Sequence, residues 1–269
     1  MRRVFILFFL LVKCSITISQ IDINYFTENK FGGTILYVSN NEYCPVSIVL
    51  EVNLNNMLFS EGSNRLFVVP ARTDSMKIGK FTQDKDGKRF SFTYRTKYFR
   101  GNSMLSSFDS LYEYDLPFAN GKTFEVGQGY NGKKTHQNEN ALDFSMGLGN
   151  EIFAARDGVV IKVVDKNNYA CTDESCKEYN NMVTIYHSDG TMADYAHIQQ
   201  NGSRVKVGDK VKKGSLIAIS GNTGWSSGPH LHFCCYFYKG TNRVTIETKF
   251  KMGRKIETLK EGEKYTKEL

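Results

Sequence analysis

The sequence is poor in the features that would set it apart from ordinary globular proteins. Of 269 residues only 4 are proline and one is tryptophan, and no stretch is of low complexity, which excludes a collagen-like or wholly disordered chain. The apolar run near the N-terminus, Phe5 to Val12, is eight residues long, far short of the ~20 a helix needs to cross a bilayer. No second CxxC or CxxxxC pair accompanies Cys171 and Cys176, which excludes a zinc finger. No amphipathic stretch of helical period exceeds ~10 residues. Histidine is scarce too, five in all, so each can be weighed singly. What is present is 41% hydrophobic and 13% aromatic, enough for a sizeable core. At ~150 residues per domain the length fits two domains.

Residues 1–19, MRRVFILFFLLVKCSITIS, pair two arginines with the short apolar run and a small, polar end. This is the pattern of a cleaved export signal, which places the mature chain in the periplasm or outside the cell. Val12 and Lys13 before Cys14 do not suit lipidation of that cysteine. Loss of Arg2, Arg3 and Lys13 lowers the formal charge from +7 to +4. That mild excess suits an anionic cell wall and is too weak for a nucleic-acid partner. Cys171 and Cys176 sit in a polar, loop-like stretch, where an oxidising compartment favours a disulfide; the alternative is two free loop thiols.

The expected fold is all-β. From residue 20 to 115, Val46, Ile48, Leu50, Val52 and Leu54 alternate with mostly polar neighbours, as do Phe90, Phe92 and Tyr94. A period of two marks half-buried strands, and Asp86-Gly87 reads as a turn between two of them. A small β-sandwich without chemistry of its own is the simplest architecture. Alternation lapses near Asp115-Leu116-Pro117. Residues 116–248 again carry short strands between glycine turns, which predicts a mainly antiparallel sheet. The charged stretch 249–269 reads as a covering strand and a frayed end.

Four of the five histidines fall in suggestive surroundings. In GNTGWSSGPHLHF a glycine loop leads into a strand, so His230 and His232 share one face. In THQNENALDFSM, His136 precedes Asp143 by seven positions, and Asp143 stands among apolar residues, where a carboxylate needs a cation or partner. A helix cap or turn acid is the bland alternative. His136, Asp143 and one histidine of the HLH pair would give three N/O ligands with a fourth position open, the pattern of a catalytic zinc site. In TIYHSDGTMADYAHI, His197 ends a strand and points toward a groove, whereas His187 reads as an exposed or turn-bonding residue. Tyr130 and Trp225 flank these loops, for substrate contact or for packing.

H(x)6D, YAHI and GNTGWSSGPHLHF, in that order over residues 136–233, together with AARDGVV and VKVGDKVKKG, resemble the M23 family of zinc metalloendopeptidases, the lysostaphin- and LytM-like peptidases. The resemblance covers roughly half the chain and implies an antiparallel β-sheet peptidase domain with a groove. It implies that His136, Asp143 and His232 bind one Zn2+ and that His197 and His230 are the catalytic pair. The implied substrate is a peptide, usually a peptidoglycan stem or cross-bridge, although another extracytoplasmic peptide stays open. Two features depart from many members: six residues rather than three separate His136 from Asp143, and Cys234-Cys235 follow HLHF where an acid is common. Cys234 shares the His232 face by alternation. A non-catalytic cell-wall binding or amidase-activating protein of the same fold is the alternative, and retention of all five positions weighs against it. VKVGDKVKKG also resembles biotinyl and lipoyl carrier turns, but without their attachment context.

Overall fold

The computed structural model describes residues 21–268. The expected export signal, with Cys14, lies outside the described residues. Among the described residues nearly all regular structure is β, with one 3-10 segment at Glu174–Tyr179. No helix among the described residues is long and apolar enough to cross a membrane.

Seven strands build the N-terminal part: β1 (Ile23–Lys30), β2 (Gly33–Asn40), β3 (Val46–Asn55), β4 (Met57–Phe59), β5 (Asn64–Val69), β6 (Thr73–Gln83) and β7 (Ser91–Arg100). They form two antiparallel sheets, β1-β2-β6-β4 and β5-β3-β7. Leu36, Val38, Ile48, Leu50, Val52 and Phe81 pack between them in one core. The alternation at Ile48, Leu50 and Val52 therefore does what period two requires, turning apolar side chains inward and Glu51 and Asn53 to solvent. Phe92 and Tyr94 pack against this core, but Phe90 precedes β7 and is exposed. Asp86-Gly87 lies in the turn between β6 and β7, with Gly87 at φ 71°.

The second part contains β8 (Glu113–Tyr114), β9 (Thr123–Gln128), β10 (Ala141–Phe144), β11 (Glu151–Phe153), β12 (Gly158–Val164), β13 (Ala170–Cys171), β14 (Met182–Tyr186), β15 (Met192–Ala196), β16 (Ile198–Ser203), β17 (Lys210–Val211), β18 (Leu216–Ser220), β19 (Gly224–Trp225), β20 (Leu231–Lys239) and β21 (Asn242–Ile246). The chain ends in β22 (Lys249–Met252), β23 (Lys255–Glu257) and β24 (Lys264–Thr266). The main sheet runs β17-β12-β14-β15-β20-β10-β9-β24, with β21 added to β20. Its neighbours pair antiparallel. The short pairs β13–β19 and β22–β8 are parallel. Residues 249–268 are built in: β24 extends the main sheet through β9, and Phe250, Leu259 and Tyr265 enter the core.

The two faces of β20 divide the labour. Leu231, Phe233 and Cys235 point into the large core with Leu142, Phe144, Val183, Ile185 and Tyr195. Burying an aromatic such as Phe233 there stabilises the sheet by roughly 2–3 kcal/mol. His232, Cys234 and Tyr236 point the other way, and the register aligns Asp143, His232 and Ala196 across β10, β20 and β15. The N-terminal part packs on the distal end of that second face. Cys44 packs there with Met192 and Tyr236, and Phe99 meets Tyr238 at 5.0 Å between ring centroids.

Candidate metal centre and active site

Asp143 occupies the middle of β10, a strand whose other residues are all buried. Its Oδ1 lies 3.2 Å from His136 Nε2, 3.0 Å from His232 Nδ1 and 3.7 Å from His230 Nε2. Burial works against the ionised form of Asp143, yet the neighbouring His136, His232 and His230 hold its carboxyl far below the usual carboxylate range. The spacing H(x)6D thus closes on itself: the loop between the two residues folds back so that both face one point.

His136, Asp143 and His232 each offer one ligand atom, and the three atoms lie within 4.8 Å of one another. His136 is 1% exposed and directs its Nδ1–H to the carbonyl of Gly129 at 3.0 Å. Its Nε2 is buried and makes no hydrogen bond. With the ring's one proton held at Nδ1, the buried Nε2 lone pair faces the Asp143 carboxylate, an arrangement that is costly unless a second proton or a cation joins the two. Two imidazoles and a carboxylate are a donor set that suits a borderline divalent ion, and the carbonyl behind His136 is the expected support for a ligating histidine. The residues present therefore fit a metal. Gln128, at the end of β9 and in register with Asp143, donates from Nε2 to Asp143 Oδ2 at 3.0 Å.

His197 and His230 stand beside this triad. Their ring centroids are 4.4 Å apart, and His197 lies 5.9 Å from His232. His197 follows β15 directly and has φ 61°, a left-handed conformation that a β-carbon disfavours. It is fixed from two sides: its backbone N–H donates to Asn180 Oδ1 at 3.1 Å, and its Nδ1–H donates to the carbonyl of Thr223 at 2.6 Å. A carbonyl can only accept, so the proton sits on Nδ1 and Nε2 carries the lone pair. Burial pushes the His197 pKa down to about 3, with the nearby His230 and His232 adding to the effect. His230 precedes β20 and donates from Nδ1 to the carbonyl of Gly228 at 2.8 Å, which turns its Nε2 toward Asp143. The arrangement brings together a cation-binding triad and two imidazole acceptors, the equipment for activating a water against an acyl carbon.

Of the two readings of His187, exposed or turn-bonding, the structure bears out the second: its backbone N–H donates to the Thr191 carbonyl at 2.8 Å and its own carbonyl accepts from the Gly190 N–H at 3.1 Å. It is fully buried, donates from Nδ1 to the carbonyl of Asp157 at 2.8 Å and meets the edge of Tyr114. Cys234 does lie on the His232 face, but its thiol is spent on Glu139, the carbonyl of Asn140 and Arg243, outside the triad. Tyr130 bonds Thr248 through its hydroxyl, and Trp225 donates from Nε1 to the carbonyl of Thr172 beneath Lys177. Cys171 and Cys176 form a disulfide. Gln128, Asn180 and Ser226 escaped the sequence reading. Only Gln128 had a signal, a polar residue ending the strand that pairs with β10.

Residues 137–245 match the model of peptidase family M23. Asp143, His197, His230 and His232 fall inside the match, and His136 stands one position before it. The chain is 37% identical over 94 residues to the peptidoglycan DD-endopeptidase ShyA of Vibrio cholerae, covering 35% of this chain and 19% of that protein. It is 35% identical over 97 residues to the glycyl-glycine endopeptidase ALE-1 of Staphylococcus capitis, covering 36% and 24%. Among solved structures, the catalytic domain of lysostaphin from Staphylococcus simulans shares 27% identity with a TM-score of 0.34, covering 46% of this chain and 87% of that one. The matched stretch spans a quarter or less of the curated relatives named here.

Proposed function

Residues 137–245 are a peptidase family M23 domain, and from that premise we propose that the chain is a zinc-dependent metalloendopeptidase that hydrolyses peptide bonds in peptidoglycan stem peptides or cross-bridges. The observation that carries the proposal is the convergence of His136, Asp143 and His232 on one point, with the unprotonated nitrogens of His197 and His230 turned toward it. The names of the relatives, a peptidoglycan DD-endopeptidase and a glycyl-glycine endopeptidase, support a cell-wall peptide as substrate. The pattern of residues 1–19 supports export to the periplasm or beyond.

In this mechanism His136 Nε2, Asp143 Oδ1 and His232 Nδ1 would hold the ion. Zinc bound there would supply a Lewis acid to polarise the scissile carbonyl and make water easier to deprotonate. The Gly129 carbonyl and Gln128 keep the ligand atoms aimed. His230 is the more exposed of the two remaining imidazoles, with a side chain 19% exposed, so the positive charge gained on taking a proton is the better solvated there. His197, buried and held neutral, accepts a hydrogen bond at Nε2 and orients the attacking water. Hydrolysis leaves a new carboxylate and a new amine, and His230 returns its proton to the amine.

The test joins metal analysis to hydrolysis of purified peptidoglycan. The proposal expects one zinc per chain and release of peptide fragments that His232→Ala abolishes together with the metal. Protein that binds peptidoglycan but neither zinc nor any other divalent ion, and cuts nothing, supports the non-catalytic binding reading instead.

A further inference from the structure

One segment that carries no metal ligand bonds His197 directly and grips the loop that holds His230. Residues 169–181 comprise β13, the 3-10 turn and Asn180-Asn181, closed by the Cys171–Cys176 disulfide. Along one side this segment grips the glycine loop ahead of His230. Gly224 N–H donates to the Tyr169 carbonyl at 2.8 Å, Ser226 N–H to the Cys171 carbonyl at 3.0 Å, and Trp225 Nε1 to the Thr172 carbonyl at 2.9 Å. Ser226 Oγ in turn donates to the Gly228 carbonyl at 2.8 Å and lies 3.3 Å from His230 Nδ1. The approach is close enough that a β-carbon on Gly224 would come within 2.7 Å of the Asn180 Cα, at a φ of +78°.

At its other end the same segment grips His197. Asn180 Oδ1 takes the His197 N–H at 3.1 Å, the Asn181 carbonyl takes the Ile198 N–H at 3.3 Å, and Asn181 N–H donates to Thr223 Oγ1 at 3.2 Å. Thr223 is the residue whose carbonyl holds the His197 ring. A left-handed, non-glycine residue such as His197 persists only where its surroundings over-determine it. Here the over-determination comes from Asn180 and Thr223. The turn is itself fixed by the disulfide and by Asp173, which caps it through the Ser175 N–H.

We propose that the disulfide-closed segment 169–181 is the positioning element for both catalytic imidazoles, with Asn180 the residue that sets His197 and the Cys171–Cys176 bond the brace that sets His230 through Ser226. The proposal rests on the peptidase reading for its catalytic consequence, but the placement of the two rings is independent of it. None of the metal ligands lies on this segment, so metal binding and histidine placement are separable.

The experiment compares the full chain loaded with zinc, as wild type, Asn180→Ala, Asn180→Asp and the double variant Cys171→Ala/Cys176→Ala. Zinc content, hydrolysis of purified peptidoglycan and the NMR resonances of the His197 and His230 rings are read on each. Misplacing a catalytic group by about an ångström costs up to ~100-fold in rate. The expected result is full zinc, a kcat lowered about 10- to 100-fold with KM within about threefold, and shifted ring resonances, in Asn180→Ala for His197 and in the double variant for His230. Asn180→Asp, which keeps the acceptor for the His197 N–H, restores the His197 resonance and most of the rate. Ring resonances and kcat unmoved in both loss variants overturn the proposal. So does a loss in Asn180→Ala that takes the zinc with it and that Asn180→Asp does not recover. Wild-type protein that cuts nothing defeats the peptidase reading alone, because the ring resonances still decide whether the segment places the histidines.

Discussion

Gln128 Nε2 donates to Asp143 Oδ2 at 3.0 Å, leaving Oδ1 as the carboxylate oxygen that faces His136 and His232. The same amide nitrogen reaches Thr135 Oγ1 at 2.7 Å, and the amide oxygen accepts from the N–H groups of Lys134 and Thr135. All four polar contacts of this side chain thus go to the metal triad or to the loop that delivers His136.

Gln128→Ala is expected to weaken zinc binding by roughly 10- to 100-fold while the fold is kept, since partners that aim a ligand carry about that much of metal affinity. Competition with a fluorescent zinc chelator measures it. An affinity unchanged within about twofold would remove Gln128 from the support of the site.

His197→Ala and His230→Ala are expected to keep stoichiometric zinc and to lose hydrolysis by about 10²- to 10⁴-fold, the range for a positioned acid or base. Metal content and fragment release on the same preparations check this. Stoichiometric zinc with undiminished hydrolysis in either variant removes that histidine from the mechanism.

The sheet and the triad were legible because they rest on side-chain identity at fixed spacing. Ile48, Leu50 and Val52 announce a half-buried strand, and HLH announces two imidazoles on one side. What escaped depends on carbonyls and on chain segments far apart in sequence. Gly129, Thr223 and Gly228 act through backbone oxygen, which any residue supplies. The turn bonds of His187 were legible from its hairpin, but its burial was not, because that needs Asp157 and Tyr114, neither of which the hairpin reveals. Ser47 breaks the alternation of β3 because it is buried against the 101–103 segment, accepting from the Ser103 N–H and donating to the Gly101 carbonyl. Asn180 and Asn181 look like ordinary loop residues until the fold sets them against His197 and Thr223.

Arg100 and Glu42 join the end of β7 to the loop after β2 through two nearly parallel bonds, Nε to Oε2 and Nη2 to Oε1, both 3.1 Å. Their side chains are only 15% and 7% exposed. Removing one partner of a buried pair strands the other charge, so Arg100→Met is expected to destabilise the protein by about 3–5 kcal/mol. Urea unfolding reads this directly. A loss below about 1 kcal/mol would mean that water reaches Glu42 and the pair behaves as a surface contact.

The fully buried His187 gives stability a pH dependence separate from that of the metal site. Burial lowers its pKa to about 4; the bond to the Asp157 carbonyl opposes this and the nearby Arg156 charge reinforces it. In the unfolded chain the ring keeps the ordinary value of about 6.5. Between those two values the unfolded state binds more protons than the folded one, so the protein loses stability as pH falls through the window. The contribution is intact above about pH 6.5, and roughly 3 kcal/mol is gone by pH 4. His187→Asn retains an amide N–H to face the Asp157 carbonyl but cannot take up a proton. The variant is expected to be less stable than wild type at pH 7, because it fills the site less well, and to close that gap as pH falls to 4. Urea unfolding at half-unit steps, with zinc chelated in both proteins, isolates the difference. Parallel curves across the window would show that His187 does not titrate between the two states.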